Sequence, residues 1–257
     1  MYDLDLFAVV PAPTMVMYPD GSMLTFPAGA QATAIADLHA KGTIVVCRVG
    51  AGAIRLDDPD AMKFPGIEAT PPNDPDLPAA GSVIGWDTLD PNEANANERY
   101  LDISSADVPP LIRRRFELAK LIGCDAIDAD KTLMISPLKP GFTLDSTDAR
   151  KYHLALAAIA HESTLELAMG LRNGLDLGTD DDIVAAYDFQ ITEGLAASGV
   201  CCDELRTFVN AKKAAFVVDY MDEISVDSAC MQYDQAGIQD GLVKDRALSS
   251  AFRGDCP

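Results

Sequence analysis

Basic residues are scarce in this chain: 20 Lys and Arg stand against 40 Asp and Glu over 257 residues, for a formal net charge of −20. Nucleic acids and anionic membranes are bound through basic surfaces, so the composition argues against both as partners. An acidic surface suits a cationic ligand such as an amino-sugar polymer, but it also simply keeps a protein soluble. The charge therefore leaves both of these interpretations open.

Long apolar runs are also missing. No run approaches roughly 20 residues, so no transmembrane helix is predicted. The opening MYDLDLFAVV is acidic and lacks the pattern of a signal peptide, so the chain is expected either in the cytoplasm or outside the cell after loss of a leader. The length and the 48% hydrophobic content predict one folded domain over residues 1–257, of undetermined oligomeric state.

Metal-binding and cofactor-binding patterns are absent from the sequence. Only His39, His153 and His161 are available, without zinc spacing, and no CxxC pair exists. The GAGA segment at 50–53 lacks the third glycine of a dinucleotide site. We therefore predict neither a metal nor a cofactor.

The six cysteines are spread unevenly. Cys47 and Cys124 lie in predicted strands, where a free thiol packs as a small apolar group. The remaining four lie in the C-terminal quarter: Cys201, Cys202, Cys230 and Cys256. An even set in loops predicts at least one disulfide among these four, with three pairings open, and an oxidising compartment.

Apolar runs alternate with stretches of helical period. The predicted strands are Leu6–Val10, Thr43–Val49, 124–130, Leu165–Leu171, 188–193 and 214–219. The predicted helices are Gln31–Lys41, 109–122, 146–162 capped by Ser146 or Thr147, one starting at Thr179, and 203–212, with a weaker helix–strand pair after Asp234. This alternation predicts an α/β fold of the (β/α)8 TIM-barrel-like class, with parallel strands and helical crossovers.

Carboxylates close several of these strands, at Asp130, Glu193 and Asp219. In a parallel α/β fold the carboxyl ends of the strands form the ligand-binding face, so these acids are expected to converge on a pocket. Side chains alternate along a strand, so Asp128 and Asp130 share a face. Paired carboxyls without a serine elbow or a metal-spaced His cluster favour glycosidic-bond chemistry. For any single acid, a helix cap or a solvated loop is the plain alternative.

A segment rich in Pro, Asp and Asn covers residues 56–97. So long a loop in a compact domain is usually functional, and we expect it over the pocket mouth. Its Trp86 suits stacking on a sugar ring or anchoring of the loop.

A series of motifs gives the sequence a family resemblance. In order they are IVVCRVGAGAIRLDDPDAMKFPG, ERYLDI, GCDAIDADKTLM, LALAAIAHESTLELAMGLRN, YDFQITEG and DELRTFVNAKKAAFVVDY. The series resembles glycoside hydrolase family 114, the endo-α-1,4-polygalactosaminidase-like proteins, which have a TIM-barrel-like fold. The likeness runs from about Tyr2 to Tyr220. It implies an extracellular enzyme that degrades a polysaccharide.

The resemblance also implies roles for particular residues. Asp130 and Glu193 match the acidic catalytic pair. From the cation Lys131 beside Asp130 and the apolar strand before Glu193, we predict Asp130 as nucleophile or base and Glu193 as proton donor. The residues that match sugar-binding or mouth positions are Asp5, Arg55, Asp128, Arg172, Asn173, Asp219 and Tyr220.

The chain departs from the family pattern at several positions. Lys131 replaces an Asn, Arg48 replaces a Tyr, and Gly194 with Leu195 replaces a Gln-Cys pair. The aromatic strand that opens the family's fold is missing, which predicts an irregular or incompletely closed barrel at the N-terminus. These changes leave a second interpretation open, a carbohydrate-binding relative without turnover.

Overall fold

The chain folds into two compact units, Met1–Met169 and Gly170–Pro257. A computed structural model describes residues 1–67, 81–85, 97–132, 141–174, 177–198, 205–238, 240–246 and 252–256. Within these ranges no helix is both long and apolar enough to cross a membrane. Each unit combines parallel strands with helices, as the sequence predicts.

The first unit contains a three-stranded parallel sheet and two antiparallel hairpins. Its elements are β1 (Tyr2–Asp5), β2 (Thr14–Met17), β3 (Met23–Phe26), α1 (Ala34–His39), β4 (Val45–Gly50), β5 (Ala53–Arg55), β6 (Glu98–Tyr100), α2 (Val108–Ile122), β7 (Ala126–Asp130) and α3 (Ser146–Ala160). In the sheet β4 lies between β1 and β7. The pairing aligns Asp5 with Arg48 and Arg48 with Asp128, so these three side chains share one face.

The start of the chain differs from the prediction. The strand is Tyr2–Asp5, and the predicted strand Leu6–Val10 is wrong because a 3-10 turn follows at Phe7–Val9. Leu6, Val9 and Val10 are all buried there. A short apolar run can be buried as a strand or as a turn, and its composition does not distinguish the two. The next residues, for which no element was predicted, contain the β2–β3 hairpin.

Helix α2 follows its sequence signals closely. Pro109 lies in its first turn, where a missing N–H costs nothing, and Gly123 ends it in the left-handed region at φ 95°. Helix α3 is capped by Asp145, not by Ser146 or Thr147, and the Asp145 carboxylate accepts the N–H of Thr147 at 2.7 Å. A carboxylate serves as N-cap as well as a hydroxyl does, and the cap lies one residue before the first predicted candidate, Ser146. Helix α1 is shorter than the predicted Gln31–Lys41.

A buried arginine joins α2 to the segment after β5. Arg115 is 1% exposed and donates to Asp60 Oδ1 at 2.6 Å and to Asp58 Oδ2 at 2.9 Å. A third N–H reaches the carbonyl oxygen of Gly50 at 2.9 Å, and the Phe7 ring centroid lies 5.1 Å away. Every charge buried here therefore has a partner, which is what makes burial of an ion pair tolerable.

Cys47 and Cys124 form a disulfide with 5.9 Å between their Cα atoms. The expectation that both are free buried thiols is wrong. Cys47 lies in β4 and Cys124 lies just before β7, and these two strands pair directly. The strand order, which the sequence does not show, brings the two sulfurs together.

The second unit has a four-stranded parallel sheet with one antiparallel edge strand. Its elements are β8 (Ala168–Arg172, which begins with the last two residues of the first unit), α4 (Asp181–Ala186), β9 (Phe189–Glu193), α5 (Leu205–Asn210), β10 (Ala214–Tyr220), α6 (Val226–Ala236), β11 (Asp240–Lys244) and β12 (Arg253–Asp255). Strands β8, β9, β10 and β11 pair in that order, and β12 runs antiparallel to β11. Strands β9 and β10 have almost their predicted bounds.

The helices of the second unit begin at caps. The helix predicted from Thr179 begins at Asp181 because Asp180 caps it, accepting the N–H groups of Asp182 and Ile183. The helix expected after Asp234 lies earlier, as α6, with Ser225 as N-cap and Gly237 as its left-handed C-cap. Its polar composition hid it from an analysis based on apolar periodicity.

A second disulfide closes the end of the chain. Cys230 in α6 is bonded to Cys256, which confirms the prediction of at least one disulfide in this group. Cys201 and Cys202 lie outside the described residues.

Candidate functional site

Asp130 ends β7 and lines a small cavity in the first unit. The cavity has a volume of about 70 Å³, and the charged residues that line it are Asp5, Arg48, Arg55, Asp58, Glu98, Arg115, Asp130 and Lys131. Asp130 Oδ1 accepts the backbone N–H of Lys131 at 2.8 Å. Its carbonyl oxygen accepts the N–H of Ala51 at 3.0 Å and that of Gly52 at 3.2 Å. The acid is therefore held at its backbone and at one carboxylate oxygen.

The close approach of Gly52 to this turn explains why a glycine is needed there. A Cβ at position 52 would lie 1.8 Å from the carbonyl oxygen of Lys131. Lys131 itself has φ 61°, a conformation that non-glycine residues adopt rarely. The turn that follows Asp130 is thus fixed by packing against the loop after β4.

Glu98, on β6, is a second acid of this cavity. Its carboxylate lies 3.7 Å from the Lys131 ammonium. Burial raises the pKa of Glu98, Lys131 opposes that shift, and the negative charge of Asp130 adds to it. Lys131 donates its backbone N–H to Asp130, while its ammonium pairs with Glu98.

The remaining site residues of the first unit differ in exposure. Asp5 ends β1 and accepts the N–H of Ala8 at 3.0 Å. Arg55 ends β5, and its Nη2 lies 2.9 Å from Asp57. Asp128 is completely buried within β7, two residues before Asp130. Asp5 and Arg55 thus line the cavity, whereas Asp128 does not reach its wall.

In the second unit, the carboxyl ends of β8, β9 and β10 bring Arg172, Glu193 and Tyr220 together. Arg172 Nη2 donates to Glu193 Oε1 at 2.8 Å, and the Tyr220 hydroxyl donates to the same oxygen at 3.1 Å. The Glu193 side chain is 24% exposed, while that of Arg172 is 5% exposed. Both of these side-chain bonds fall on Oε1 of Glu193.

Tyr220 is a hydrogen-bond donor at neutral pH. Burial and the neighbouring Glu193 carboxylate raise the pKa of Tyr220 to about 12. Both effects disfavour the phenolate, so the hydroxyl keeps its proton and points it at Glu193.

Asn173 holds the backbone of Glu193. Its side-chain oxygen accepts the Glu193 N–H at 2.8 Å, and its own N–H donates to Ile191 at 2.9 Å. Asn173 has φ 49°, in the left-handed region that Asn tolerates better than most residues. The Arg172–Asn173 pair therefore positions both the side chain and the backbone of one acid.

Asp219 is completely buried, and its contacts hold the turn after β9. Its carboxylate accepts the N–H of Ala196 at 3.2 Å and that of Ala197 at 3.1 Å. The Tyr233 hydroxyl donates to it as well. These bonds fix the chain immediately after Glu193.

The chain as a whole matches a known family. The sequence profile of glycoside-hydrolase family GH114 covers residues 20–255. The chain belongs to glycoside-hydrolase family GH114. This confirms the resemblance drawn from the motif series and makes the protein a glycoside hydrolase by family. Among curated proteins, none matches this GH114 chain significantly.

Two solved structures share the fold of this GH114 chain. Ega3 from Aspergillus fumigatus, solved in complex with galactosamine, is 24% identical with a TM-score of 0.68, and the match covers 87% of this chain and 83% of Ega3. The glycoside hydrolase domain of PelA from Pseudomonas aeruginosa is 14% identical with a TM-score of 0.56, covering 87% of this chain and 86% of that domain. These likenesses confirm the α/β, TIM-barrel-like fold class.

Several cavity residues of the GH114 chain, Arg48 and Glu98 among them, were not predicted as site residues. Arg48 interrupts the apolar strand β4, and that interruption was the signal for it. Glu98 lies in the ERYLDI motif, yet its place beside Lys131 depends on the β5–β6 hairpin. Trp86 and most of the 56–97 loop lie outside the described residues, so the predicted position of that loop stays a prediction.

Proposed function

We propose that this GH114 chain is a secreted glycoside hydrolase that cleaves α-linked, galactosamine-type polysaccharides with Asp130 and Glu193 as its acidic pair. Family membership supports the reaction class. The similarity to Ega3, whose solved complex contains galactosamine, supports the sugar. We further propose that residues 1–257 act as one domain, supported by a family match that crosses both units.

The observation that carries the proposal is the way Glu193 is held. Glycoside hydrolysis needs one carboxyl to protonate the leaving oxygen and a second to attack or to activate water. Arg172 and Tyr220 bind Oε1 of Glu193, and in this proposal Oε2 carries the proton to the glycosidic oxygen. Once Glu193 has given up its proton, the same two donors stabilise the carboxylate that remains.

Asp130 is the nucleophile or base in this proposal. The backbone N–H of Lys131 orients its carboxylate, and the nearby walls of the cavity carry further charge. Fixed donors of this kind hold a reacting group in place at little cost during the reaction. Lys131 and Glu98 neutralise one another beside it, at 3.7 Å.

The sugar-binding residues fall into two groups. Asp5 and Arg55 line the cavity and contact the sugar directly in this proposal. Arg172, Asn173, Asp219 and Tyr220 support Glu193 and the turn after it. Asp128, buried two residues before Asp130, supports the strand end beneath the sugar.

The charge of the chain supports a cationic polymer, because a net charge of −20 attracts ammonium-bearing sugars and repels anionic ones. The disulfides Cys47–Cys124 and Cys230–Cys256 support an oxidising, extracellular location.

Release of reducing ends tests this function. Deacetylated galactosaminogalactan, the fully N-acetylated polymer and a neutral α-glucan are incubated with the protein at equal sugar concentration. We expect cleavage of the deacetylated polymer and little of the other two. Cleavage of the neutral glucan alone would contradict the proposed substrate. Binding without cleavage of any polymer would favour the carbohydrate-binding alternative.

A further inference from the structure

Arg246 lies against the aromatic face of Tyr220. Its Cζ is 4.6 Å from the ring centroid. The hydroxyl of the same ring donates to Glu193 Oε1 at 3.1 Å. We propose that Arg246 is a positioning residue that fixes the Tyr220 ring, and thereby the Tyr220 hydroxyl, against Glu193. This inference rests on the proposed function, since it concerns how Glu193 works.

Arg246 is itself held in place by the turn after β10. Its Nε donates to Asp222 Oδ2 at 2.9 Å, and its guanidinium also pairs with Glu223. The pairing of β10 with β11 brings these groups together, because Tyr220 is aligned with Lys244 and the Met221 N–H donates to Lys244. The guanidinium is therefore tied to two acids and held over the ring.

The turn after β10 also binds the backbone of Tyr220. The Tyr220 carbonyl oxygen accepts the N–H of Glu223 at 2.9 Å and that of Ile224 at 3.1 Å. The backbone of Tyr220 is thus fixed, while its ring extends to the half-buried Glu193. A cation on the ring face is attracted by the negative face of the π-system and restrains the ring, which neither backbone bond does.

Arg246 contacts Glu193 through no bond of its own. In this inference its effect on the reaction passes through the Tyr220 ring, which it contacts directly. Arg172 continues to bind Oε1 when Arg246 is removed, so the loss should be partial. We expect a lower kcat with little change in KM, because Arg246 contacts the ring and the two acids rather than the sugar.

A double-mutant cycle on the galactosamine polymer tests this. Arg246→Ala should lower kcat about tenfold at nearly unchanged KM, and Tyr220→Phe should lower it at least as much. The double variant should equal Tyr220→Phe alone, because Arg246 has nothing left to position. Arg253→Ala is the matched control: Arg253 is similarly exposed and pairs with Asp255, and its loss should leave kcat unchanged. The inference would be overturned if the kcat loss of the double variant equalled the product of the two single losses, or if Arg246→Ala kept the wild-type kcat.

A second readout needs no turnover. NMR signals of the Tyr220 ring, assigned by their loss in Tyr220→Phe, report how fast the ring flips. Ring flipping should be several-fold faster in Arg246→Ala than in the wild type or in Arg253→Ala. Equal flipping rates in all three proteins would overturn the inference. A wild type that never cleaves the polymer would contradict the proposed function alone, because the NMR comparison still decides whether Arg246 restrains the ring.

Discussion

The side-chain oxygen of Asn173 accepts the backbone N–H of Glu193 over 2.8 Å, joining the end of β8 to the end of β9. The residue before it, Arg172, binds the Glu193 carboxylate at 2.8 Å. Two consecutive residues on one strand end therefore fix both the backbone and the side chain of the proposed proton donor. The left-handed backbone of Asn173 is what allows its amide to turn back to β9.

Replacing Asn173 separates the contribution of its side-chain hydrogen bond to stability from the contribution of its left-handed backbone. Asn173→Gly loses the acceptor but keeps the left-handed backbone, and it should cost about 1–3 kcal/mol of unfolding free energy. Asn173→Ala also strains the backbone and should cost about 1 kcal/mol more. Urea unfolding of the three proteins measures both steps. An alanine variant as stable as the glycine variant would show that the backbone conformation contributes nothing.

Arg115 should be needed for stability. Arg115→Leu leaves Asp58 and Asp60 without their buried cation, and it should cost about 3–5 kcal/mol of unfolding free energy. Arg115→Lys should also destabilise, because one ammonium cannot reach both acids and the Gly50 carbonyl as the guanidinium does. Denaturant unfolding measures the loss. A leucine variant within about 1 kcal/mol of wild type would contradict the role given to this cluster.

His153 should make the protein sensitive to acid. Burial lowers the pKa of His153 to about 4, although a hydrogen bond with the Thr132 backbone opposes the shift. In the unfolded chain the imidazole titrates near its usual value of about 6.5. As the pH falls from about 6.5 to about 4, the unfolded state takes up a proton that the folded state does not, so stability falls by about 3 kcal/mol.

His153→Gln removes this proton uptake. Unfolding free energies of wild type and variant, measured at intervals between pH 7 and pH 4, give the comparison. The wild type should lose stability more steeply with falling pH than the variant over that window. Parallel curves would show that His153 titrates alike in the folded and unfolded chain.

The two disulfides should differ in how much they stabilise the fold and in how readily a reductant reaches them. Cys47–Cys124 closes a separation of 77 residues and Cys230–Cys256 one of 26. In the chain-entropy model these contribute about 4–5 and about 3–4 kcal/mol respectively. Cys47 and Cys124 are buried, whereas Cys230 and Cys256 are partly exposed. Mild reductant followed by alkylation and mass spectrometry should label Cys230 and Cys256 first. Earlier labelling of Cys47 would contradict the buried position of that bond.

Much of the fold was predictable because local signals coincide with the elements. Gly123 marks the end of α2, and Glu193 and Tyr220 close strands whose apolar character is plain in the sequence. The clustering of cysteines predicted at least one disulfide in the C-terminal quarter, though not which of them pair. Such features depend on neighbours along the chain, which a sequence displays directly.

Other features depend on which strands become neighbours. Cys47 meets Cys124 because β4 pairs with β7, and Arg246 meets Tyr220 because β11 pairs with β10. Arg115 was hidden because a charged residue on a helix is normally exposed. The catalytic roles of individual acids came from the family resemblance and remain proposals.

Amide substitution of the two acids tests the account most directly. Asp130→Asn and Glu193→Gln keep the size of each side chain and remove its ability to ionise, so reducing-end release from the deacetylated polymer should fall by several orders of magnitude. Galactosamine-oligomer binding, measured by calorimetry, should survive in both variants, and Asp37→Asn serves as the control on an exposed acid of the first unit. Near wild-type hydrolysis by both amide variants would contradict the assignment of Asp130 and Glu193 as the acidic pair.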